Sequence, residues 1–187
     1  MSERVRSFIS FDVEDESILE RFSGIQNKLV KSGADLKLVK PRNIHITMRF
    51  LGNISYSMIN KIYEKMKEVS FSPFDVEIRG VGAFPTLSKP RVIWAGVKKG
   101  FDQLRGIFNQ LEPKLLELGF KPDPKGFSPH LTLARVRTGR HRAELIKLIR
   151  ELADYEFGVI KAECLRLKRS VLTPDGPIYT TLKEVCR

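Results

Sequence analysis

Two short segments far apart along the chain carry the same pattern: N-I-H-I-T-M-R-F around His45 and S-P-H-L-T-L-A-R around His130, each reading His-apolar-Thr-apolar. Alternation with a period of two specifies a strand with one buried face. His45 and Thr47 then project to one side while Ile44, Ile46 and Met48 enter the core, and His130 and Thr132 stand in the same way against Leu131 and Leu133. The chain holds only three histidines, so two in matched settings point to an architecture that repeats itself.

The surrounding elements rhyme as well. Strands are expected over Val5 to Val13, Leu36 to Val39, Ile44 to Leu51, Phe74 to Val81, Arg91 to Val97 and His130 to Val136, with Val159 to Leu172 and Ile178 to Val185 as a closing pair. Helices are expected over Asp15 to Ser32, Ser57 to Val69, Phe101 to Leu118 and Arg142 to Leu152, each with apolar residues on one face. The segment GAFPTLSKP should separate two strands, and Pro113 should kink or split the third helix because it cannot donate the helical hydrogen bond. Each half reads strand, helix, strand, then a histidine strand followed by another helix. The fold expected is α+β, a single domain over residues 1–187 made of two similar lobes. Antiparallel sheets flanked by helices would enclose a central cleft with pseudo-twofold symmetry.

With 187 residues the chain can bury a full core, and no apolar run is long enough for a membrane helix. The opening MSERVRSFIS lacks a long apolar segment and a small-residue cleavage site, so a cytoplasmic protein without an export signal is expected. A net charge of +11 makes polyanions the first class of partner to consider, nucleic acid above all. Abundant Lys, Arg and Glu would also suit a heat-stable protein. Cys164 and Cys186 lack metal-site spacing, and two reduced, partly buried thiols are the expectation. A disulfide stays open, because separation along the chain does not fix distance in space.

Two strands meeting at a groove would bring two imidazoles and two hydroxyls onto one small anion, and phosphate suits that set. Opening a cyclic phosphodiester in line requires a base for the attacking water and an acid for the departing ribose oxygen. Histidine, titrating near about 6.5, can serve as either. Threonine hydroxyls can hold non-bridging oxygens, and an arginine can offset the developing charge. One His-x-Thr is weak grounds for this, since it describes many half-exposed strands. The second copy is what gives it weight. His141, in RTGRHRAEL, has no such partner and reads as a surface residue at a helix start.

On these residues the sequence resembles the 2H phosphoesterase superfamily, named for its two His-x-Thr/Ser motifs, and within it the RNA 2',3'-cyclic phosphodiesterases, also called 2'-5' RNA ligases. The likeness extends to R-S-F-I-S-F, P-R-N-I-H-I-T-M-R-F-L-G, G-V-G-A-F-P with P-R-V-I-W-A-G-V, and F-S-P-H-L-T-L-A-R, and so covers nearly the whole chain. It implies a two-lobed fold with both motifs in a central cleft. It also implies hydrolysis of a terminal 2',3'-cyclic phosphate to a 2'-phosphate, with no metal and no cofactor. By carry-over, His45 would be the general acid and His130 the general base. Thr47, Thr132 and Arg135 would grip the phosphate, and Phe50 would lie against the terminal base. Simple alternation puts Phe50 opposite His45 and Arg135 opposite His130, so each needs a strand end, twist or bulge to reach the cleft. Arg42 stands where many members carry an acidic residue, and Arg42, Lys40 and Arg91 are candidates for contact with the substrate backbone.

The partner implied is RNA with a 2',3'-cyclic phosphate terminus, tRNA fragments included, bound by a monomer away from any membrane. Two other functions compete with hydrolysis. One is 2'-5' ligation of tRNA-half-like ends, joining a cyclic phosphate to a 5'-hydroxyl; the other is a non-catalytic RNA- or nucleotide-binding module.

Overall fold

The computed structural model describes residues 4–187, so the first three residues of the opening segment lie outside the described residues. Strands and helices alternate along the chain: β1 (Arg4–Asp12), α1 (Glu16–Lys31), β2 (Leu36–Leu38), β3 (His45–Ser55), α2 (Tyr56–Lys67), β4 (Phe74–Thr86), β5 (Lys89–Lys99), α3 (Phe101–Glu117), β6 (His130–Val136), α4 (Arg142–Glu151), β7 (Glu156–Ala162), β8 (Cys164–Thr173) and β9 (Gly176–Cys186). A 3-10 turn, Pro41–Asn43, leads into β3.

The helices follow from local chemistry. Asp15 caps α1 by accepting a hydrogen bond from the Ile18 N–H at 3.1 Å. The buried stripe of Ile18, Leu19, Phe22, Ile25 and Leu29 then faces the sheet. Gly33 ends it in the left-handed conformation, φ +78°, which a side chain would resist. Helix α3 runs through Pro113 as one element, so of the expected kink or split the split does not occur. The single missing donor is outweighed by burial on both sides of it, at Leu111 and Leu115. Among the described residues no helix is long and apolar enough to cross a membrane.

All nine strands of the described residues join one antiparallel sheet in the order β7-β4-β5-β6-β3-β1-β8-β9, with β2 alongside β6. The two halves expected from the sequence are therefore continuous. One is β3-β1-β8-β9 and the other β6-β5-β4-β7, with a histidine strand innermost in each. They meet where Ile46 pairs with Leu131.

The expected strand from Val159 to Leu172 is two strands, broken at Glu163. Strand β7 pairs with β4 and β8 with β1, toward opposite ends of the sheet. One linking residue can serve both only if those ends approach each other, so the sheet is curled into a half-barrel. Phe11 of β1 and Phe74 of β4 accordingly meet edge to face at 5.9 Å. GAFPTLSKP is likewise no separator: β4 and β5 extend through it as a hairpin, with a cis Phe84–Pro85 bond and a register shift at that point.

The thiol expectation is also corrected. Cys164 and Cys186 are register partners on β8 and β9, with Cα atoms 4.0 Å apart, and form a disulfide. Pairing of the two strands places the sulfurs together, which spacing in sequence could not reveal.

One charged pair is buried among these elements. Arg49 of β3 meets Glu112 of α3 at 2.7 Å, and the two side chains are 8% and 16% exposed. Such burial is tolerated only with full hydrogen bonding. Arg49 also donates to the carbonyls of Phe50 and Lys121, and Glu112 accepts from the Asp123 N–H. The pair thus fixes the segment that leads toward His130.

Candidate active site

Strands β3 and β6 match position by position. From each histidine onward, exposure runs half-buried, buried, half-buried, buried, buried, exposed. Strict alternation would forbid two consecutive buried residues, and the register explains them. Between Ile9 and Ser10 of β1, strand β3 advances two residues, from Thr47 to Arg49. Between Ile93 and Trp94 of β5, strand β6 advances two residues, from Thr132 to Ala134. Each histidine strand therefore carries a bulge at the same distance beyond its histidine, at Met48 and at Leu133. The bulges reverse the alternation and bring Phe50 and Arg135 to the face of His45, Thr47, His130 and Thr132. Phe50 is 59% exposed there.

The junction brings the four motif groups together. Because Ile46 pairs with Leu131 in antiparallel register, His45 comes beside Thr132 and Thr47 beside His130, all on one face. The two rings are oriented alike. Each Nδ1–H donates to the carbonyl two residues before it, Asn43 for His45 and Ser128 for His130, both at 2.7 Å. A neutral ring held this way keeps its proton on Nδ1 and turns a basic Nε2 to the site. The Nε2 of His45 accepts from the Thr47 hydroxyl at 2.9 Å. Asn43 is itself anchored, its side-chain amide donating to the Pro177 carbonyl at 2.8 Å.

The two sides differ in what surrounds the rings. His45 has Asp12 as its register partner on β1, and stacks on Phe8 at 4.7 Å with Tyr179 edge-on at 5.4 Å. Burial opposes ionisation of Asp12, yet bonding to Lys168, Ser10 and Arg166 holds its carboxyl below the usual range. His130 has Gly96 as its register partner and Phe84 edge-on at 4.9 Å. Beside it, Trp94 is the partner of Thr132 and lies over Gly82, where any side chain would clash with the indole ring.

Burial pulls both histidines below their ordinary value of 6.5. For His45 this is opposed by the Asn43 carbonyl and the Asp12 charge, and reinforced by Lys168 and by His130 itself. For His130 the Ser128 carbonyl opposes it, while Arg135 and Lys125 reinforce it. A carboxylate thus favours the charged form of His45, whereas the neighbours of His130 are cations. Burial raises the Tyr179 hydroxyl above its usual range, with Arg135 and Arg6 pulling the other way.

The remaining sequence candidates lie elsewhere. Arg42 is exposed on the 3-10 turn and pairs with Glu16 at 3.0 Å, next to Lys40. Arg91 sits one residue before Val92, the partner of Arg135. His141 stands at the start of α4 with φ +52°, its ring packed over Gly33. Nothing local in the sequence singles out Phe8, Asp12, Trp94 or Tyr179, because they reach the histidines through strand pairing. Only R-S-F-I-S-F, which ends beside Asp12, marks this part of β1 at all.

Comparison with known proteins bears on this face. A family model described as the AKAP7 2'5' RNA ligase-like domain matches residues 7–186. An RNA 2',3'-cyclic phosphodiesterase of Aeropyrum pernix is 41% identical over 165 residues, which is 88% of this chain and 94% of that protein. One from Archaeoglobus fulgidus is 41% identical over 180 residues, covering 96% and 98%. Among solved structures, E. coli LigT complexed with 3'-AMP superposes with a TM-score of 0.80 over 98% of both chains, and at 21% identity this likeness concerns the fold. A Thermus thermophilus protein gives a TM-score of 0.77 at 27% identity over 97% of both.

Proposed function

The chain belongs to the 2'5' RNA ligase-like family of 2H phosphoesterases, and on that premise we propose that it hydrolyses RNA 2',3'-cyclic phosphate ends to 2'-phosphates. One observation carries this: two imidazoles that turn Nε2 to the site, and two threonine hydroxyls, converge on one face at the β3–β6 junction.

His130, with cations beside it and Gly96 rather than a carboxylate as its register partner, is the base. Its Nε2 takes a proton from water, whose oxygen attacks phosphorus. The P–O3' bond breaks, and His45, whose charged form Asp12 favours, gives its Nε2 proton to the departing O3'. The phosphate stays on O2'. Thr47 and Thr132 hold non-bridging oxygens, and Arg135 offsets the charge that gathers on them. The phosphodiester anion also raises the proton affinity of His45 on binding, counteracting its desolvation. Phe50 and Phe8, 6.3 Å apart, form an aromatic wall for the terminal base.

Ligation is the same path with a 5'-hydroxyl in the place of water as the nucleophile, the P–O3' bond breaking and a 2'-5' linkage forming. We place the enzyme in the cytoplasm, as a one-domain monomer acting on RNA ends such as those of tRNA fragments, in keeping with its cationic surplus. The deciding experiment is incubation with RNA ending in a 2',3'-cyclic phosphate. A terminal 2'-phosphate is expected; an unchanged end, or a 3'-phosphate, would overturn the proposal.

A further inference from the structure

Beyond Arg135, strand β6 runs out of the catalytic face into a concavity of about 500 Å³ between the β4–β5 hairpin and the start of α4. Lys89, Arg91, Arg137, Arg140 and Arg142 line it, and among the described residues no carboxylate does. All five are exposed. Many cations elsewhere in the molecule have an acidic partner, as Arg79 and Arg166 do. Among the described residues Lys89, Arg91, Arg140 and Arg142 make no ion pair, and Arg137 reaches Asp35 only at 3.9 Å.

Five converging like charges repel one another, and a fold that keeps them together with so little internal compensation leaves a site of strong positive potential. The local backbone also favours the cluster. Gly139 lets the Arg142 guanidinium lie against it, where a Cβ would stand 2.8 Å from Nη2. A buried floor at Leu145 keeps the basin concave.

The position of the basin gives it a purpose. Seven residues along the chain take His130 to Arg137, roughly 23 Å at about 3.3 Å per residue if fully extended. Arg135 lies between them. That distance exceeds one nucleotide, so a ligand spanning both places must be a strand. We propose that the basin is a second, non-catalytic anion site that holds backbone phosphates of the RNA strand a few nucleotides from its reacting end. This rests on the function proposed above and adds to it a preference for oligonucleotides over mononucleotides. Arginine suits the task, since its fork can grip phosphate oxygens in pairs.

The test uses the whole protein and the variant Lys89→Ser/Arg140→Ser/Arg142→Ser, with Arg140→Glu as a milder second variant. Two readouts are taken. The first is KM for RNAs of increasing length ending in a 2',3'-cyclic phosphate, against KM for a nucleoside 2',3'-cyclic phosphate. Length should lower KM in the parent protein, and the variants should lose that gain, about tenfold or more for the triple variant, with mononucleotide turnover unchanged. The second is binding of a fluorescent single-stranded RNA octamer ending in a 3'-phosphate, measured against salt. The triple variant should bind more weakly, with a slope shallower by about 0.7 for each phosphate it no longer holds. If octamer binding and its salt slope are the same in parent and variants, the basin is not an RNA site. A length gain that survives in the variants, or an acidic polypeptide that binds there while RNA does not, overturns it equally. If no cyclic end is hydrolysed at all, the function proposed above fails, and the octamer measurement still decides the basin on its own.

Discussion

Ile46 and Leu131, each the residue that follows a motif histidine, pair with one another, and through them β3 meets β6. Their side chains are fully buried, which turns the flanking His45, Thr47, His130 and Thr132 to the opposite side. Two apolar residues at the centre of the sheet therefore determine that four polar groups share one face.

If both imidazoles act in one step, removing either should cost nearly as much as removing both. Changing His45 or His130 to Ala is expected to lower kcat by about two to four orders of magnitude, with the double variant little worse. Steady-state rates on a nucleoside 2',3'-cyclic phosphate check this, and near-normal rates in both single variants would sink the mechanism.

On the proposed mechanism the active form has His45 protonated and His130 neutral. Rate should fall in acid as His130 gains a proton and in base as His45 loses one, giving a bell. Both groups are held below 6.5 in the free protein, so the optimum of kcat/KM should lie on the acid side of neutrality. In Asp12→Asn, His45 loses the carboxylate that favours its charged form while Lys168 remains. The alkaline limb should then move to lower pH, with activity at about pH 8 falling more than at about pH 6. An alkaline limb that stays in place would show that Asp12 does not act through His45.

Phe50 and Arg135 occupy the same place in the two halves but should fail differently. In the role proposed for Phe50, Phe50→Ala removes contact with a base that is bound before and during reaction, so it should raise KM with little change in kcat. In the role proposed for Arg135, Arg135→Ala removes charge stabilisation that grows in the transition state, so kcat should fall, by about a hundredfold. Full kinetic curves for both variants on one substrate separate the two effects.

Proton transfer through two imidazoles asks nothing of a divalent ion. Activity should persist in excess EDTA. Loss on chelation, restored by a divalent metal, would require a different mechanism.

Glu112→Ala leaves Arg49 buried without its carboxylate. Losing one member of a buried pair costs about 3–5 kcal/mol, which should appear as a lowered denaturant midpoint. Because Glu112 also holds the Asp123 N–H, the segment ahead of His130 should loosen, and its amides should exchange faster with solvent.

Much of this molecule is legible in its letters, because amphipathic periodicity is a local property. The stripe of Ile18, Phe22, Ile25 and Leu29 and the alternation around His45 and His130 each declare an element and its buried face. What pairs with what is not local. Asp12 and Tyr179 reach His45 across β1, β8 and β9, and nothing near either residue announces a site. Cys164 and Cys186 become partners by the same route. The bulges lie between these cases: alternation shows that Phe50 and Arg135 stand on the wrong face, and only the register shows where the strands correct it.

Bulges at Met48 and Leu133 also bear on which product forms. A scaffold with two equivalent halves would accept a cyclic phosphate in either of two opposed orientations, and inverting the ligand would exchange the ribose oxygens presented to the two rings. Installing an aromatic plate at one bulge and a guanidinium at the other removes that indifference. With the roles proposed for Phe50 and Arg135, the nucleobase would have one berth, and the choice between cutting at O3' and cutting at O2' would be made before any proton moves.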